Sequence, residues 1–494
     1  MVRSIAWLII LPLTAFGQIR ISPQWMDHMV LQRGKPVSIS GKATPGATVQ
    51  LSFSGKSASV RTGKDSSWQI RIGPLKANAQ PADMRITAGK DTLALKDLLV
   101  GDVWLCLGQS NMEFPMRNEA HYAEARQNIT RGPVRWYNPT YVGKGIYNQL
   151  FSDSLMQLID NGVFYTGAWQ RCDSASLADM SAVAYYFAEK VTASAGVPVG
   201  LVHLAIGGAP LETFVPKEAL LADSAFSQKV WGNWLRNPAL PDWSRERGRQ
   251  NRGHDTTAGG PAHGYKPGFA FDKGLRELTG NPVAGILFYQ GETNAQETAR
   301  VAEYGRLFDV MMQAYRAFWP GVPCYFVQLS SIDSSGYRSQ LWPQFRDEQR
   351  RILQQTPNTG MAVSSDVGAR NDVHPTDKRT VGYRLAAWAL HDFYKLGNVV
   401  PSGPLVEKAV YRQGKIILHF KWAEGLTVAG GALLKGFSLD GTHPAPASVH
   451  GNTVEIPSSA KPAFVYYGWQ PFTDANLVNA AGLPASTFRI RIEP

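Results

Sequence analysis

Alternating strand and helix patterns between residues 103 and 394 constrain the fold of this chain more than any other feature. Short apolar runs typical of buried strands alternate there with segments of helical periodicity. Such alternation is typical of a parallel sheet covered by helices on both faces. The predicted strands lie at 103–107, 199–204, 283–288, 324–329 and 361–363, and the predicted helices at 180–193, 296–318, 343–353 and 377–394. We therefore predict an α/β domain.

The segments on either side of this region have a different pattern. Residues 18–97 contain short alternating runs separated by Gly, Pro and Asp turns, which predicts a small β-sandwich. Residues 401–494 also favour strands, so we expect a second β domain there. The α/β domain then covers residues 98–400, with an irregular insertion at about 213–270 where periodicity is weak.

Residues 1–17 have the pattern of a secretory signal peptide. Arg3 gives the positive start, residues 5–13 form a short apolar core, and small residues precede a cleavage position near Gly17. The apolar run is too short to span a bilayer. We therefore expect a secreted or periplasmic protein with no transmembrane segment in its mature chain.

The net charge of +11 is spread along the chain and forms no block of the kind that binds nucleic acid. We expect no nucleic-acid partner. The densest basic patch, residues 245–252, is interpreted as a solvated loop, with contact to an anionic ligand as the alternative. The three scattered cysteines predict neither a disulfide framework nor a zinc site. The oligomeric state does not follow from the sequence.

Ser110 comes directly after an apolar strand, in the segment Gly108–Glu113. A serine at the carboxyl end of a buried strand is well placed for nucleophilic chemistry. An ordinary strand-to-loop turn is the alternative, because Gly, Ser and Asn are common turn residues. Two further predicted strands also end in polar signatures, Gly207–Gly208 and Gln290–Asn294. Because ligands gather at this edge of such sheets, the catalytic interpretation is favoured.

A serine nucleophile needs a base, and the base needs a group that orients it. His374 lies in a predicted loop before the last helix, and Asp372 lies two residues before it. A surface histidine beside a capped helix is the alternative. Acyl transfer also needs donors for the developing oxyanion. The candidates are the N–H groups of Ser110 and Gly208 and a side-chain amide from Gln290 or Asn294.

These motifs form an ordered set that resembles the sialate O-acetylesterase family, within the SGNH/GDSL hydrolase superfamily. The set consists of Gly108–Met112, Gly207–Gly208, Tyr289–Asn294 and Asp372–Pro375, and further similarity lies at Asp27–Gln32, Leu98–Trp104, Asn476–Asn479 and Gly482–Ala485. The resemblance therefore extends over nearly the whole mature chain. It implies a flavodoxin-like three-layer α/β/α core flanked by N- and C-terminal β domains. It also implies deacetylation of carbohydrate esters without a metal or cofactor.

The resemblance also implies roles for individual residues. By motif, Ser110 is the nucleophile, His374 the base and Gly208 an oxyanion donor, and Gln290 takes a position where the superfamily often has asparagine. Asn111 and Asn294 are further candidates for substrate contact.

The residue that orients His374 is left open by the resemblance. The superfamily commonly has aspartate three residues before the histidine, and Asn371 holds that position here. Asp372, Glu292 or a backbone carbonyl is left to orient His374, with Asp372 favoured and Glu292 the alternative acid.

We expect a serine carbohydrate esterase that removes O-acetyl groups from sugars, first among them sialic acids, through an acetyl-serine intermediate. Acetylated xylan or pectin fits the same residues, and a non-catalytic carbohydrate-binding protein is a further alternative. The carboxylate of a sialic acid would need an arginine in the pocket, and Arg117, Arg135 and Arg171 are the candidates.

Overall fold

The computed structural model describes residues 18–129, 133–253, 255–431 and 433–493, so the predicted signal peptide lies outside the described residues. Within these ranges the buried apolar side chains form three clusters. One lies in the N-terminal β region, a large one in the α/β region and one in the C-terminal β region. Removal of this apolar surface from water is the main stabilising term of each region.

A mostly parallel sheet forms the central layer. The strand Asp91–Gly108 lies in its middle, between Val199–His203 and Gly285–Tyr289, and pairs in parallel with both. All residues of these two neighbouring strands are buried, as in a sheet covered on both faces. The order across the sheet is Trp169–Arg171, Val134–Tyr137, Val199–His203, Asp91–Gly108, Gly285–Tyr289, Cys324–Gln328 and Thr359–Val363.

Helices pack against this sheet in pairs. Ala182–Ala195 packs with Arg379–Trp388, and Thr298–Phe318 packs with Trp342–Gln355. Shorter helices cover Ser110–Glu113, Tyr122–Gln127, Asp153–Asp160 and Lys217–Ala222. The observed layers confirm the predicted α/β class with β regions on either side.

The basic patch at 245–252 is not a solvated loop, and that prediction is wrong. It forms most of a helix, Asp242–Arg252, which begins after Pro241 and ends at Gly253. Gly253 has a φ of +69°, a conformation that suits glycine and stops a helix. The insertion predicted at 213–270 is therefore partly helical. Its helix has no apolar stripe because the buried positions are Ser244, Arg247, Gly248 and Asn251.

The N-terminal strands form a small sheet and an extension of the central one. The small sheet contains Arg20–Ile21, Val37–Lys42 and Ser67–Ile72, and the extension contains Val30–Gln32, Thr48–Phe53, Lys56–Arg61 and Asn78–Ala88. The strand Asp91–Gly108 runs through both regions, because its first half pairs with Asn78–Ala88 and its second half with the central strands. A domain boundary at residue 97 would thus fall inside one strand.

The C-terminal region forms a separate sheet. Its strand order is Phe437–Ser438, Phe464–Tyr467, Phe488–Glu493, Leu405–Arg412, Lys415–Lys421, Thr453–Pro457 and Ser448–His450, and Thr427–Val428 pairs with Leu477–Val478. Arg346, fully buried on the helix Trp342–Gln355, joins this region to the core. Its guanidinium donates to the carbonyls of Gly468 at 3.1 Å and Gln470. Among the residues described, no helix is long and apolar enough to cross a membrane.

Candidate active site

Ser110 lies at the carboxyl edge of the central sheet, where the strand Asp91–Gly108 ends. Gly108 has a φ of +136°, and a Cβ atom there would lie 2.0 Å from the Tyr289 carbonyl oxygen, so only glycine fits. The next N–H, of Gln109, donates to the same carbonyl at 3.0 Å. Ser110 then begins the short helix Ser110–Glu113 and is half-buried. This tight turn fixes the serine at the edge of the sheet.

His374 meets Ser110 at this edge. The Nε2 atom of His374 lies 2.7 Å from Ser110 Oγ, which is hydrogen-bond distance. Burial, together with the charge of Lys378, lowers the pKa of His374 below its ordinary value. A neutral imidazole accepts a proton from a hydroxyl, so the lowered pKa keeps this ring in the form that a general base requires.

Asp372 lies on the other side of the imidazole. Its Oδ1 atom accepts the backbone N–H of His374 at 2.8 Å and lies 3.9 Å from the ring Nδ1. The second distance is longer than a hydrogen bond. The negative charge of Asp372 nevertheless acts on the ring, because it raises the pKa of His374 against the lowering by burial.

Glu292, the alternative acid, has a different partner. Its Oε1 atom accepts a hydrogen bond of 2.5 Å from Asn111 Nδ2, and in the described part of the chain it makes no hydrogen bond to His374. Burial raises the pKa of Glu292, while Asn111 and Lys378 oppose that rise. The geometry thus favours Asp372 over Glu292 as the carboxylate that acts on His374.

Asn111 connects the serine turn to the histidine loop. Its Nδ2 atom donates to the Val373 carbonyl at 2.9 Å, and Lys378 Nζ donates to its Oδ1 atom. Lys378 is fully buried, and burial lowers its pKa to about 7 against the opposing charge of Glu292. Asn111 was expected to contact substrate. Its amide is instead engaged within the protein, where it holds the residue before His374.

The amides of Gln290 and Asn294 are also engaged within the protein. Gln290 Nε2 donates to Gln109 Oε1 at 3.1 Å and to Asn294 Oδ1 at 2.7 Å. Asn294 Nδ2 donates to Glu212 Oε2 at 3.1 Å. The structure therefore does not leave Gln290 free as an oxyanion donor or Asn294 free for substrate, contrary to expectation. Both side chains brace the loop that follows the strand Gly285–Tyr289.

Two backbone N–H groups of the site are available to donate to a ligand. Within the described ranges, the N–H groups of Ser110 and Gly208 have no protein acceptor, whereas Gly207 N–H donates to Tyr141 Oη at 3.0 Å. The carbonyl of Gly208 accepts from Thr293 Oγ1 at 2.9 Å, which fixes the orientation of this turn.

A buried carboxylate also lies beside the Gly207 turn. Glu113 accepts hydrogen bonds of 3.1 Å from Tyr141 Oη and lies 3.3 Å from Lys144 Nζ. Burial raises the pKa of Glu113, and Lys144 opposes the rise.

The ligand atoms of Glu119, His121 and Asp377 lie within 4.8 Å of one another. The Glu119 carboxylate already accepts hydrogen bonds from the Tyr186 hydroxyl at 2.9 Å and the backbone N–H of Lys378 at 3.3 Å. We interpret this cluster as a support for the segment that follows His374.

Sequence reasoning missed Lys378 and Trp243 as residues of the site. Lys378 is four residues after His374, so its closeness to the histidine in the sequence was an available signal. Trp243 lies in the segment that was predicted to be irregular, and its ring contacts the Gly208 turn: a Cβ atom at position 208 would lie 2.4 Å from Trp243 Cη2.

The chain is similar to known carbohydrate esterases. Residues 270–391 match the family model described as carbohydrate esterase, sialic acid-specific acetylesterase. The sialate O-acetylesterase of Rattus norvegicus is 28% identical over 431 residues, which are 77% of this chain and 75% of that protein. The sialate O-acetylesterase of Homo sapiens is 26% identical over 447 residues, 81% and 76% of the two chains.

A solved structure covers almost the whole chain. The crystal structure of a carbohydrate acetylesterase from Xanthomonas citri superposes with a TM-score of 0.77 at 30% identity, covering 95% of this chain and 99% of that one. The fold class is thereby confirmed, including the β regions that flank the α/β core. The chain therefore belongs to the carbohydrate acetylesterases.

Proposed function

We propose that this carbohydrate esterase removes O-acetyl groups from sugars by serine acyl transfer, with Ser110 as nucleophile, His374 as general base and Asp372 as the orienting acid. The observation that carries the proposal is the 2.7 Å distance between Ser110 Oγ and His374 Nε2. A hydroxyl at this distance from a neutral imidazole can transfer its proton as it attacks.

The first half-reaction forms an acetyl-enzyme. Ser110 Oγ bonds to the acetyl carbonyl carbon while His374 Nε2 takes the hydroxyl proton, and the carbonyl π electrons move to the oxygen. The N–H groups of Ser110 and Gly208 then donate to that oxyanion. When the tetrahedral intermediate collapses, the carbonyl re-forms and the bond to the sugar oxygen breaks. His374 gives its proton to that oxygen, so the sugar leaves with a free hydroxyl.

The second half-reaction regenerates the serine. A water molecule attacks the acetyl carbon while His374 takes a proton from it, and the same two N–H groups bind the oxyanion. Collapse breaks the bond to Ser110 Oγ, which recovers its proton from His374, and acetate leaves. Asp372 stabilises the transient imidazolium in both steps through its charge, since its Oδ1 atom is 3.9 Å from Nδ1.

Acetylated sialic acids are the proposed substrates. The support is the match to the sialic acid-specific family model and to curated relatives named sialate O-acetylesterase. The relative from Xanthomonas citri is named only as a carbohydrate acetylesterase, so acetylated xylan and pectin remain the competing substrates. We also propose that the chain is exported, on the evidence of the signal-like residues 1–17.

A substrate panel tests this function. Acetate release is measured from O-acetylated sialic acid, acetylated xylan and acetylated pectin, using the wild type, Ser110→Ala and the exposed control Ser57→Ala. We expect release from sialic acid by the wild type and the control but not by Ser110→Ala. Sugar binding without acetate release by the folded wild type would instead support a non-catalytic carbohydrate-binding protein.

A further inference from the structure

Arg247 is a cation buried beside two aromatic rings. The residue is 9% exposed, on the helix Asp242–Arg252. Its guanidinium carbon lies 5.1 Å from the ring centroid of Tyr147 and 5.0 Å from that of Trp243. Its buried Nε and Nη1 atoms have no hydrogen-bond partner, and across the described ranges no carboxylate forms an ion pair with it.

Other arginines of the same helix are paired. Arg245 pairs with Asp242, Arg249 lies 2.8 Å from Glu246, and Arg252 lies 2.7 Å from Asp160. Among the described residues, Arg247 thus differs from the other arginines of this helix.

The three arginines that the sequence suggested for a substrate carboxylate are engaged elsewhere. Arg117 pairs with Asp179, and Arg135 and Arg171 both pair with Asp97, at 3.6 and 2.7 Å. The structure therefore does not support these three arginines as ligands of a substrate carboxylate.

Arg247 lies one side-chain layer away from the turn at Gly207 and Gly208. Both aromatic rings that contact it also contact Gly207 or Gly208. A Cβ atom at position 207 would lie 2.6 Å from Tyr147 Oη, and one at position 208 would lie 2.4 Å from Trp243 Cη2. A sugar whose acetyl carbonyl reached the Gly208 N–H would therefore have its ring close to these aromatic side chains and to Arg247.

The chemistry of this position suits an anion. Burial of an unpaired charge is costly, so a buried guanidinium with free N–H donors gains most from a ligand that brings a negative charge. Arginine binds planar carboxylates through two parallel hydrogen bonds. Aromatic contacts on the guanidinium also stabilise its charge and limit its motion.

We propose that Arg247 binds the carboxylate of an acidic acetylated sugar, and that the enzyme thereby selects acidic over neutral sugars. The inference rests on the proposed esterase function of Ser110. The group that Arg247 would recognise is a carboxylate, which sialic acids and uronic acids both carry. It disfavours neutral acetylated xylose units.

The test compares matched substrates that differ only in charge. Acetate release is measured for an O-acetylated sialic acid and its carboxamide, and for an O-acetylated galacturonic acid and its carboxamide. We expect wild-type kcat/KM to favour an acid over its amide by about 10- to 100-fold, as expected for hydrogen bonds to a charged group. The sialic and uronic pairs show which acidic sugar is preferred.

Variants assign that preference to Arg247. In Arg247→Gln the ratio of acid to amide should fall to about one, chiefly through a higher KM for the acid, because the charge is lost. Arg247→Lys keeps the charge but loses the planar fork, so part of the preference should remain, and it serves if the glutamine variant does not fold. The matched control Arg249→Gln, on the same helix, should keep the full wild-type ratio.

Equal kcat/KM for acid and amide in the wild type would overturn the carboxylate site and leave the esterase intact. A preference that survives in folded Arg247→Gln would also overturn it, because another group would then be responsible. If the wild type releases no acetate, the esterase proposal fails. The same acid and amide pairs, titrated into wild type and Arg247→Gln by calorimetry, then decide the carboxylate site without turnover.

Discussion

His374 Nε2 lies 2.7 Å from Ser110 Oγ, although the two residues are 264 positions apart in the chain. The contact depends on a hydrogen bond between the serine turn and the histidine loop. Asn111 donates from the serine turn to the carbonyl of Val373, which precedes the histidine. The position of the base relative to the nucleophile is thus set by a buried hydrogen bond.

The pH dependence of activity should follow the titration of His374. The base works only when neutral, and its pKa is lowered by burial and by Lys378. Activity is then present above this lowered pKa and is lost as pH falls through it. We expect the acidic limb of kcat/KM to lie below the ordinary histidine value of about 6.5. A limb above that value would contradict the assignment of His374.

Asp372→Asn should move that limb further down. The charge of Asp372 raises the pKa of His374, so its removal lowers the pKa while it also weakens stabilisation of the imidazolium. Because the contact is longer than a hydrogen bond, we expect kcat to fall by about 10- to 100-fold, less than for a closely bonded triad aspartate. The control Asp440→Asn, after the strand Phe437–Ser438 in the C-terminal region, should change neither. A greater loss of kcat in Glu292→Gln than in Asp372→Asn would move the orienting role to Glu292.

Lys378 and Glu292 should be coupled in stability. Both are buried and both contact Asn111, and each charge stabilises the other, so removal of one takes a favourable interaction from the other. Lys378→Met should lower the free energy of unfolding by about 3 kcal/mol. The double variant with Glu292→Gln should lose less than the sum of the single losses. Urea unfolding of the four proteins measures this, and strictly additive losses would show that the two charges do not interact.

Gly208→Ala should destabilise the fold and displace the Gly208 N–H. Gly208 has a φ of +72°, and a Cβ atom there would meet Trp243 Cη2 at 2.4 Å and Tyr265 Oη at 2.6 Å. Displacement of its N–H should lower kcat by about 100-fold, as for loss of one oxyanion donor. Gly397→Ala is the control, since a Cβ atom there meets nothing within 4 Å. Unchanged kcat in Gly208→Ala would remove this N–H from the mechanism.

Features that depend on a local hydrophobic pattern could be predicted from the sequence, and features that depend on packing between distant segments could not. The strand Gly285–Tyr289 was predictable because it is a continuous apolar run. The strands Val134–Tyr137 and Trp169–Arg171 of the same sheet were not predicted, because they are short and contain polar residues. The helix Asp242–Arg252 was not predicted either, because its buried positions carry polar or small residues such as Ser244 and Asn251. Its core side is defined by packing against other segments rather than by hydrophobicity.

The same limit applies to the site. Ser110 and His374 were identified from their places in motifs. Whether the amide of Gln290 is free depends on Gln109, which is 181 positions away and accepts its hydrogen bond. Such long-range partners leave no pattern in the local sequence.

The most direct test of the account is hydrolysis of 4-nitrophenyl acetate by the wild type and by Ser110→Ala, with thermal unfolding to show that both proteins are folded. Removal of the nucleophile of a serine triad typically costs about a millionfold in kcat. We therefore predict that Ser110→Ala retains only background hydrolysis at an unchanged melting temperature. Near-wild-type turnover by folded Ser110→Ala would contradict the assignment of Ser110 as the nucleophile.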